Sequence, residues 1–439
     1  MFKFTGWRAF LALWSGQAVS LIGSGLFAFA VGVWVYQRTQ SATMFALILF
    51  FDMLPAVLAA PYAGVVADRM NRRTLMILGN LGAALSALLV ALVAAVDPPN
   101  SELWLLFPPL VLGGVAASFH GAAYEASLSL LVEEKHLGRA NGLIQLSMGL
   151  GEILAPAIAG VLFVLVQVWA LILFDVASFL VATLALLIIR IPSTHEPNGA
   201  ATAGAEQRSL RDDLLYGLRY LRPRHGLLAL LWIFALLNLF ISVAMGAVTP
   251  MVLGFTDARG LGLIAAMGGA GLIAGGLLMT VWGGLKRRIT MLLAGLLAAG
   301  FFVILYGIRP SVPLIAVGAF GTFFTVAVAN AVSGAIWQSQ VAPQAQGRVF
   351  AVRRIVAQLS APLGLLIVGP LIDGVFRHLL DGSGSGLFGS GPARGIGVLF
   401  VAMGVIVIVI SVVAWTRPAV RGVETGAAPQ AEQQSIPAV

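Results

Sequence analysis

Residues 64–73 read Gly64-Val65-Val66-Ala67-Asp68-Arg69-Met70-Asn71-Arg72-Arg73, a tight cluster of charge between two long apolar runs, 44–66 and 74–96. Each run can carry a helix across a bilayer, whose hydrocarbon core takes ~20 apolar residues to cross. Away from water the backbone must satisfy its own hydrogen bonds. Runs this continuous, rich in Leu, Ala and Gly, therefore read as helices; a membrane barrel would show ~10-residue alternating segments. Working outward, the pattern recurs. The sequence predicts twelve spans, at 10–36, 44–66, 74–96, 103–131, 140–166, 168–190, 227–254, 260–283, 289–308, 311–338, 350–373 and 396–416.

The composition fits an all-α integral membrane protein. Of 439 residues 59% are hydrophobic and only 10% charged, against ~25% charged in soluble domains. A soluble enzyme, a disulfide scaffold and a nucleic-acid binder are set aside. With no Cys and five His at no metal-binding spacing, no metal and no cofactor are expected. No G-x-x-x-x-G-K-S/T loop occurs either, so energy would come from a gradient rather than ATP.

The net charge of +8 is an orientation signal. With both termini inside, only Arg38, Arg259, Arg309, Arg377 and Arg394 fall outside, and the other 21 of the 26 Lys and Arg fall inside. This asymmetry supports the span count and places both termini in the cytoplasm. Lys3 and Arg8 precede a run too long for a signal peptide, with no small-residue cleavage site, so it reads as the first span.

Residues 192–207 lose all apolar periodicity and read as a flexible linker between two six-helix halves. In 209–224, Leu210, Leu214, Leu218 and Leu221 share one helical face, as in a helix lying on the inner membrane surface or capping the bundle. The expected organisation is 1–190 as an N-terminal bundle, 191–226 as linker and amphipathic helix, 227–416 as a C-terminal bundle and 417–439 as a disordered tail. The halves echo each other. The basic cluster ending at Arg73 recurs at Lys286-Arg287-Arg288, and Gly138-Arg139 with Ala155-Pro156 recurs as Gly347-Arg348 with Ala361-Pro362. Such offsets mark parallel repeats about an axis along the membrane normal.

Residues 64–73 resemble the G-x-x-x-D-R-x-G-R-R/K loop of the major facilitator superfamily, with Asn71 where the family prefers Gly. Both residue types tolerate a left-handed turn. Gly64 is expected to let helices approach closely, and Arg69, Arg72 and Arg73 complete the motif. The resemblance implies that Asp68 sits against the positive N-terminal end of span eleven, near Val349 and Phe350, as a conformational gate. Plain inside-positive charge is the other reading of the cluster. In span five, Gly142, Gly151, Ala155-Pro156 and Ala159-Gly160 keep the spacing of the family's antiporter motif, G-x8-G-x3-G-P-x2-G-G, with two Gly replaced by Ala. Small residues four apart make a groove for another helix, and Pro156 removes a backbone hydrogen bond. Ordinary small-residue packing would look similar.

Further stretches extend the resemblance over most of the chain: Phe10-x-x-Leu13-Trp14-x-Gly16-Gln17, Leu137-Gly138-Arg139-Ala140-Asn141-Gly142, Asp175-x-x-Ser178-Phe179 and Tyr216-Gly217-Leu218-Arg219-Tyr220-Leu221. They are similar to the branch of bacterial drug and siderophore exporters that includes macrolide-efflux and enterobactin-exporter types, which implies a bacterial inner membrane. The span-four Arg of R-x-x-Q-G is absent. Ala117 holds its place before His120-Gly121.

Ionisable groups within a bilayer are site candidates by default. Glu152 lies nearest mid-membrane and leads as proton-coupling residue, a structural hydrogen-bonding role being its other reading, with Asp52 and Glu125 next, Glu125 reading equally as reaching the headgroups; Asp175 and Asp373, nearer the outer surface, read as caps or interhelical partners. Gln17, Ser20, Gln145, Asn238, Ser242, Asn330, Trp337 and Gln358 are the polar or aromatic candidates for a pocket between the halves, each with a helix–helix hydrogen bond as its other reading. The expected function is export of a hydrophobic or amphipathic organic compound, drug-like or siderophore-like, by a monomer that exchanges it for protons and contacts membrane lipid but no nucleic acid. Two alternatives stay open: a proton- or sodium-coupled importer, and a lipid-handling or sensory protein without coupled flux.

Overall fold

The structure, a computed structural model, describes residues 6–133, 137–189, 210–285, 287–376 and 393–424. The N-terminal half holds α1 (Gly6–Thr39), α2 (Ala42–Arg69), α3 (Arg72–Val96), α4 (Phe107–Leu131), α5 (Leu137–Leu165) and α6 (Val168–Ile188). A short helix α7 (Leu210–Leu221) leads to α8 (His225–Leu253), α9 (Ala258–Trp282), α10 (Arg288–Ile308), α11 (Val312–Gln340), α12 (Pro343–Leu371), α13 (Ala393–Thr416) and the single turn α14 (Pro418–Arg421). Eleven of these helices are long and apolar enough to cross a membrane. The twelfth span is α5, of whose described residues Ile153–Leu165 form the apolar stretch.

The helices start and stop where local chemistry directs. Ser41 Oγ accepts from Met44 N–H to open α2, and Asp257 accepts from the N–H groups of Arg259 and Gly260 to open α9. Gly283, in the left-handed region at φ 70°, closes α9. The expected span at 103–131 becomes a 3-10 segment, Asn100–Leu106, followed by α4, because Pro108 and Pro109 suit the first turn of a helix. Large apolar side chains such as Val281, 88% exposed, point outward, as they must on a lipid-facing surface.

An even number of spans puts the start of α1 and the end of α13 at one end of the bundle, here the termini end; the opposite is the far end. Four buried clusters form the core. At the termini end they are separate. Phe10, Leu13, Met76 and Leu186 belong to the N-terminal half alone, whereas Leu292, Ile336, Trp337 and Val349 pack with Leu221 of α7 in the other half. At the far end one cluster is shared: Val33, Ala42 and Ala46 pack with Val243, Met251, Ile315 and Phe400.

α7 forms a helix within the segment expected to be amphipathic and lies on the bundle, but of the expected apolar face Leu221 is buried while Leu218 is exposed, and the side chains of Leu210 and Leu214 lie outside the described residues. Arg348 O is close to where a Cβ of Gly217 would sit, Tyr220 Oη accepts from Ala342 N–H at 3.2 Å, and Leu215 and Leu218 stay exposed. The linker at 192–207 and the Gly- and Ser-rich loop before Arg394 lie outside the described residues. The tail expected to be unstructured from 417 instead begins with α14. Its Val420 and Val423 are buried, and the Glu424 carboxylate accepts from Arg288 N–H at 3.0 Å and Ile289 N–H at 3.2 Å, capping α10.

Candidate functional site

The far-end seam is closed by backbone contact and by one carboxylate. α5 crosses α9 where Gly160 meets Gly262: a Cβ on Gly262 would lie 2.5 Å from Pro156 O, and one on Gly160 would lie 2.7 Å from Ala258 O. Asp373, in the π-helical turn after α12, reaches the N-terminus of α2 in the other half. It accepts from Ser41 Oγ–H at 2.9 Å, Ala42 N–H at 3.1 Å, Thr43 N–H at 2.9 Å and Thr43 Oγ1–H at 2.7 Å. A carboxylate on the unsatisfied N–H groups of a helix start is a strong, charge-assisted cap. The sequence expectation of a cap or interhelical partner for Asp373 is met across the two halves.

At the termini end the stretch 64–73 works within the N-terminal half. Asn71 N-caps α3, its Oδ1 accepting from Arg73 N–H at 3.0 Å and Thr74 N–H at 3.3 Å, with φ −62°. The left-handed turn expected at Asn71 is therefore absent, and Asn serves there as a cap. Arg72 Nη1 donates to Ala126 O at 2.7 Å, at the end of α4; Arg73 Nε donates to Leu186 O at 2.7 Å and Nη2 to Leu187 O at 2.8 Å, at the end of α6. The two cations tie the start of α3 to the C-terminal parts of α4 and α6 by meeting backbone carbonyls there. Arg69 is exposed. The close approach expected at Gly64 is not made, since a Cβ there would meet nothing within 4 Å. The physical reason is the separation of the two cores at this end. The side chains of Asp68, Gln145 and Glu152 lie outside the described residues, and Gly142 is described only as part of α5. In α5, Ala155 and Ala159 are fully buried, and Gly151 faces Leu21 of α1.

A cavity of about 140 Å³ opens within the C-terminal half between α8, α10, α11 and α13. Phe234, Phe240, Tyr306 and Phe323 line it together with Asn238 and Asn330. Asn238 Nδ2 donates to Phe234 O at 2.8 Å, and Thr322 Oγ1, also on the wall, is buried without a hydrogen-bond partner. Beside Phe234 lies a residue that the charge count had treated only as an orientation marker. The Arg353 guanidinium sits 5.8 Å from the Phe234 ring and 5.5 Å from that of Trp337, and donates to Ser333 Oγ at 3.2 Å. Of the expected pocket residues only Asn238 and Asn330 line this cavity. Ser242 is buried against Gly364 of α12, Trp337 is 1% exposed in the core, and Gln358 is half-buried outside the cavity wall.

The N-terminal half carries polar groups instead. Asp175, 2% exposed, accepts from Ser24 Oγ–H at 3.1 Å and lies 3.2 Å from Ser178 Oγ. Gln17 meets His120, and Ser20 is buried one turn further along α1. Asp52 and Glu125, expected as proton carriers, are both exposed. No trio of His, Cys, Asp or Glu spaced to hold a metal occurs among the described residues. Sequence reasoning missed the partnership of Gln17 with His120, 103 residues apart. Its signal was two polar side chains inside apolar runs; which helices pair cannot be read from periodicity.

The profile of the Major Facilitator Superfamily matches residues 13–365. Macrolide efflux protein A of Streptococcus pyogenes is 26% identical over 85% of this chain and 92% of its own length. The multidrug efflux pump Tap of Mycolicibacterium fortuitum is 27% identical over 81% of this chain and 87% of its own. Among solved structures, a bacterial homologue of the human lysosomal transporter Spinster, inward-facing and unoccupied, superposes with TM-score 0.68 at 16% identity, covering 92% of this chain and 95% of that one. The nucleoside transporter NupG superposes with TM-score 0.67 at 12% identity, covering 93% and 99%.

Proposed function

The chain belongs to the major facilitator superfamily, and on that premise we propose that it exports a hydrophobic or amphipathic organic compound from the bacterial cytoplasm in exchange for protons. It is a multi-pass membrane transporter of small molecules and not an enzyme. The observation that carries the proposal is the unequal seam: the halves share a core and a carboxylate cap at the far end and keep separate cores at the termini end. With both termini in the cytoplasm, as the Lys and Arg asymmetry favours, this is the cytoplasm-open state of an alternating-access cycle. Asp68 and Arg69 would close the cytoplasmic end in the other state, with Arg72 and Arg73 kept on their own half.

Export is favoured over import by the efflux relatives and by the spacing around Pro156. The aromatic cavity with its two amides fits an apolar body carrying few polar groups, drug-like or siderophore-like. The protein acts as a monomer, with Glu152 the leading carboxylate for the counter-transported proton.

Inside-out vesicles holding a proton gradient test the proposal with a panel of cationic dyes, macrolides and siderophores, reading collapse of the gradient. At least one class should collapse it in wild type, and Ala244→Trp, which pushes an indole into the cavity, should raise the half-saturating concentration about tenfold or more. A panel that leaves the gradient intact, with the protein folded and inserted, overturns proton-coupled export.

A further inference from the structure

In α4 the imidazole of His120 is held between two helices. Its Nε2 lies 2.9 Å from Gln17 Oε1 on α1, and its Nδ1 lies 3.3 Å from Met76 O on α3. Both neighbours in this arrangement are acceptors. A neutral imidazole has one N–H and can donate to one of them; an imidazolium has two and satisfies both. Gln17 Nε2 is meanwhile buried with no hydrogen-bond partner, a cost of ~1–3 kcal/mol. Turning the Gln17 amide by half a turn gives the complementary state. Nδ1–H then donates to Met76 O, and the bare Nε2 accepts from Gln17 Nε2–H, which satisfies the orphaned donor. The two arrangements differ by one proton and one amide rotation.

We propose that His120 is a proton-binding site of the transport cycle and that its proton sets which way the Gln17 amide points. The inference rests on the proton-coupled reading above and assigns that reading a second residue beside Glu152. Its surroundings are suited to the task. α1, α2, α3 and α4 carry, besides His120, Arg8, Arg38, Asp52, Asp68, Arg69, Arg72, Arg73 and Glu125 as charged residues. Arg38 is at the far end paired with Asp97, Asp68 and Arg69 end α2, Arg72 and Arg73 hold carbonyls of α4 and α6, and Asp52 and Glu125 are exposed. Facing the ring are the Gln17 amide, Gly79 of α3 and, on its own helix, Tyr124 with its ring centroid at 6.3 Å. A proton gained here thus changes local hydrogen bonding rather than completing an ion pair.

The Gln17 end of this pair is continuous with a polar face of α1 in which Ser20 is buried and Gln17 and Ser24 are partly buried. Gln17, Ser20 and Ser24 follow at helical spacing, and Ser24 ends on the Asp175 carboxylate. Seven residues of helix span ~10 Å, so this stripe joins an imidazole on the termini side to a carboxyl toward the far end. In exchange transport the proton taken up by the imidazole nitrogen from the far side is returned to the cytoplasmic side, and the ring is left neutral.

The test uses full-length protein with 15N-labelled histidine, in which five His give few signals and His120→Asn identifies the one of interest. The His120 nitrogens should titrate with pH. Addition of erythromycin or ethidium, whichever collapses the gradient in vesicles, should shift that titration by at least half a pH unit toward lower pH, since exchange makes proton and substrate compete. His120→Asn should lose at least half of the protons released on probe binding by the purified protein. Unchanged signals from the other four His report an intact fold. Gln17→Leu should move the His120 titration, as a merely space-filling Gln would not. If His120→Asn releases protons as wild type does, or its nitrogens do not titrate between pH 5 and 9, the inference fails while proton coupling stands and passes to Glu152. If wild type neither releases protons nor lets any probe collapse the gradient, the proton-coupled reading itself fails.

Discussion

The two ends of the molecule are built from similar pieces and joined in opposite ways. At the far end an acidic side chain of one half caps a helix start of the other, and Gly160 and Gly262 bring two backbones into contact. At the termini end Arg72 and Arg73 serve their own half, closing the ends of α4 and α6, and Gly64 faces open space. The difference teaches where the cycle stores its preference. On the proposed cycle, contacts across the halves would belong to one state and bias which way the transporter faces, whereas contacts inside a half would persist and set stability alone.

The largest expected effect follows from Gly262→Leu. Its Cβ would meet Pro156 O, which as backbone cannot swing aside, so the closed far end should be disfavoured by about 3 kcal/mol or more. That is over a hundredfold in population, and transport should fall to background while far-end reporter cysteines become labelled; unaltered labelling breaks the comparison at its strongest point. Asp373→Ala removes four hydrogen bonds from the start of α2 and should cost the same state about 2 kcal/mol. Far-end labelling should rise roughly tenfold or more, and Asp373→Asn should fall between. Arg73→Gln is the control on the other side. It should lower the thermal midpoint through a loss of about 1 kcal/mol and leave labelling at both ends as in wild type; a shift in labelling would mean that the termini-end charges already act across the seam.

Much of the fold was legible because a bilayer demands long, uninterrupted apolar runs, and these have a length set by membrane thickness. The parallel halves could be read from repeated small motifs. What could not be read was the partner of each polar group. Ser41 and Asp373 are 332 residues apart, and nothing in local periodicity couples them. Asn71 shows a second limit. Its type suits both a left-handed turn and an N-cap, and only the geometry chooses the cap. For the site, Asn238 and Asn330 were read from polarity within apolar runs and do share a cavity. Arg353 was missed because its charge was already accounted for by the orientation rule, although its ring contacts place it beside that cavity. The turn α14 was missed because four residues after a proline carry too little pattern to distinguish order from a tail.

The central claim, that the two ends open and close in opposition, is tested most directly by distances. The chain has no native Cys, so spin labels can be placed at Met70 with Gln338 across the termini end and at Val96 with Arg309 across the far end. Introducing Asp373→Ala into both labelled pairs should lengthen the far-end distance and shorten the termini-end distance together. Distances that stay fixed, or that change at one end alone, would contradict the account.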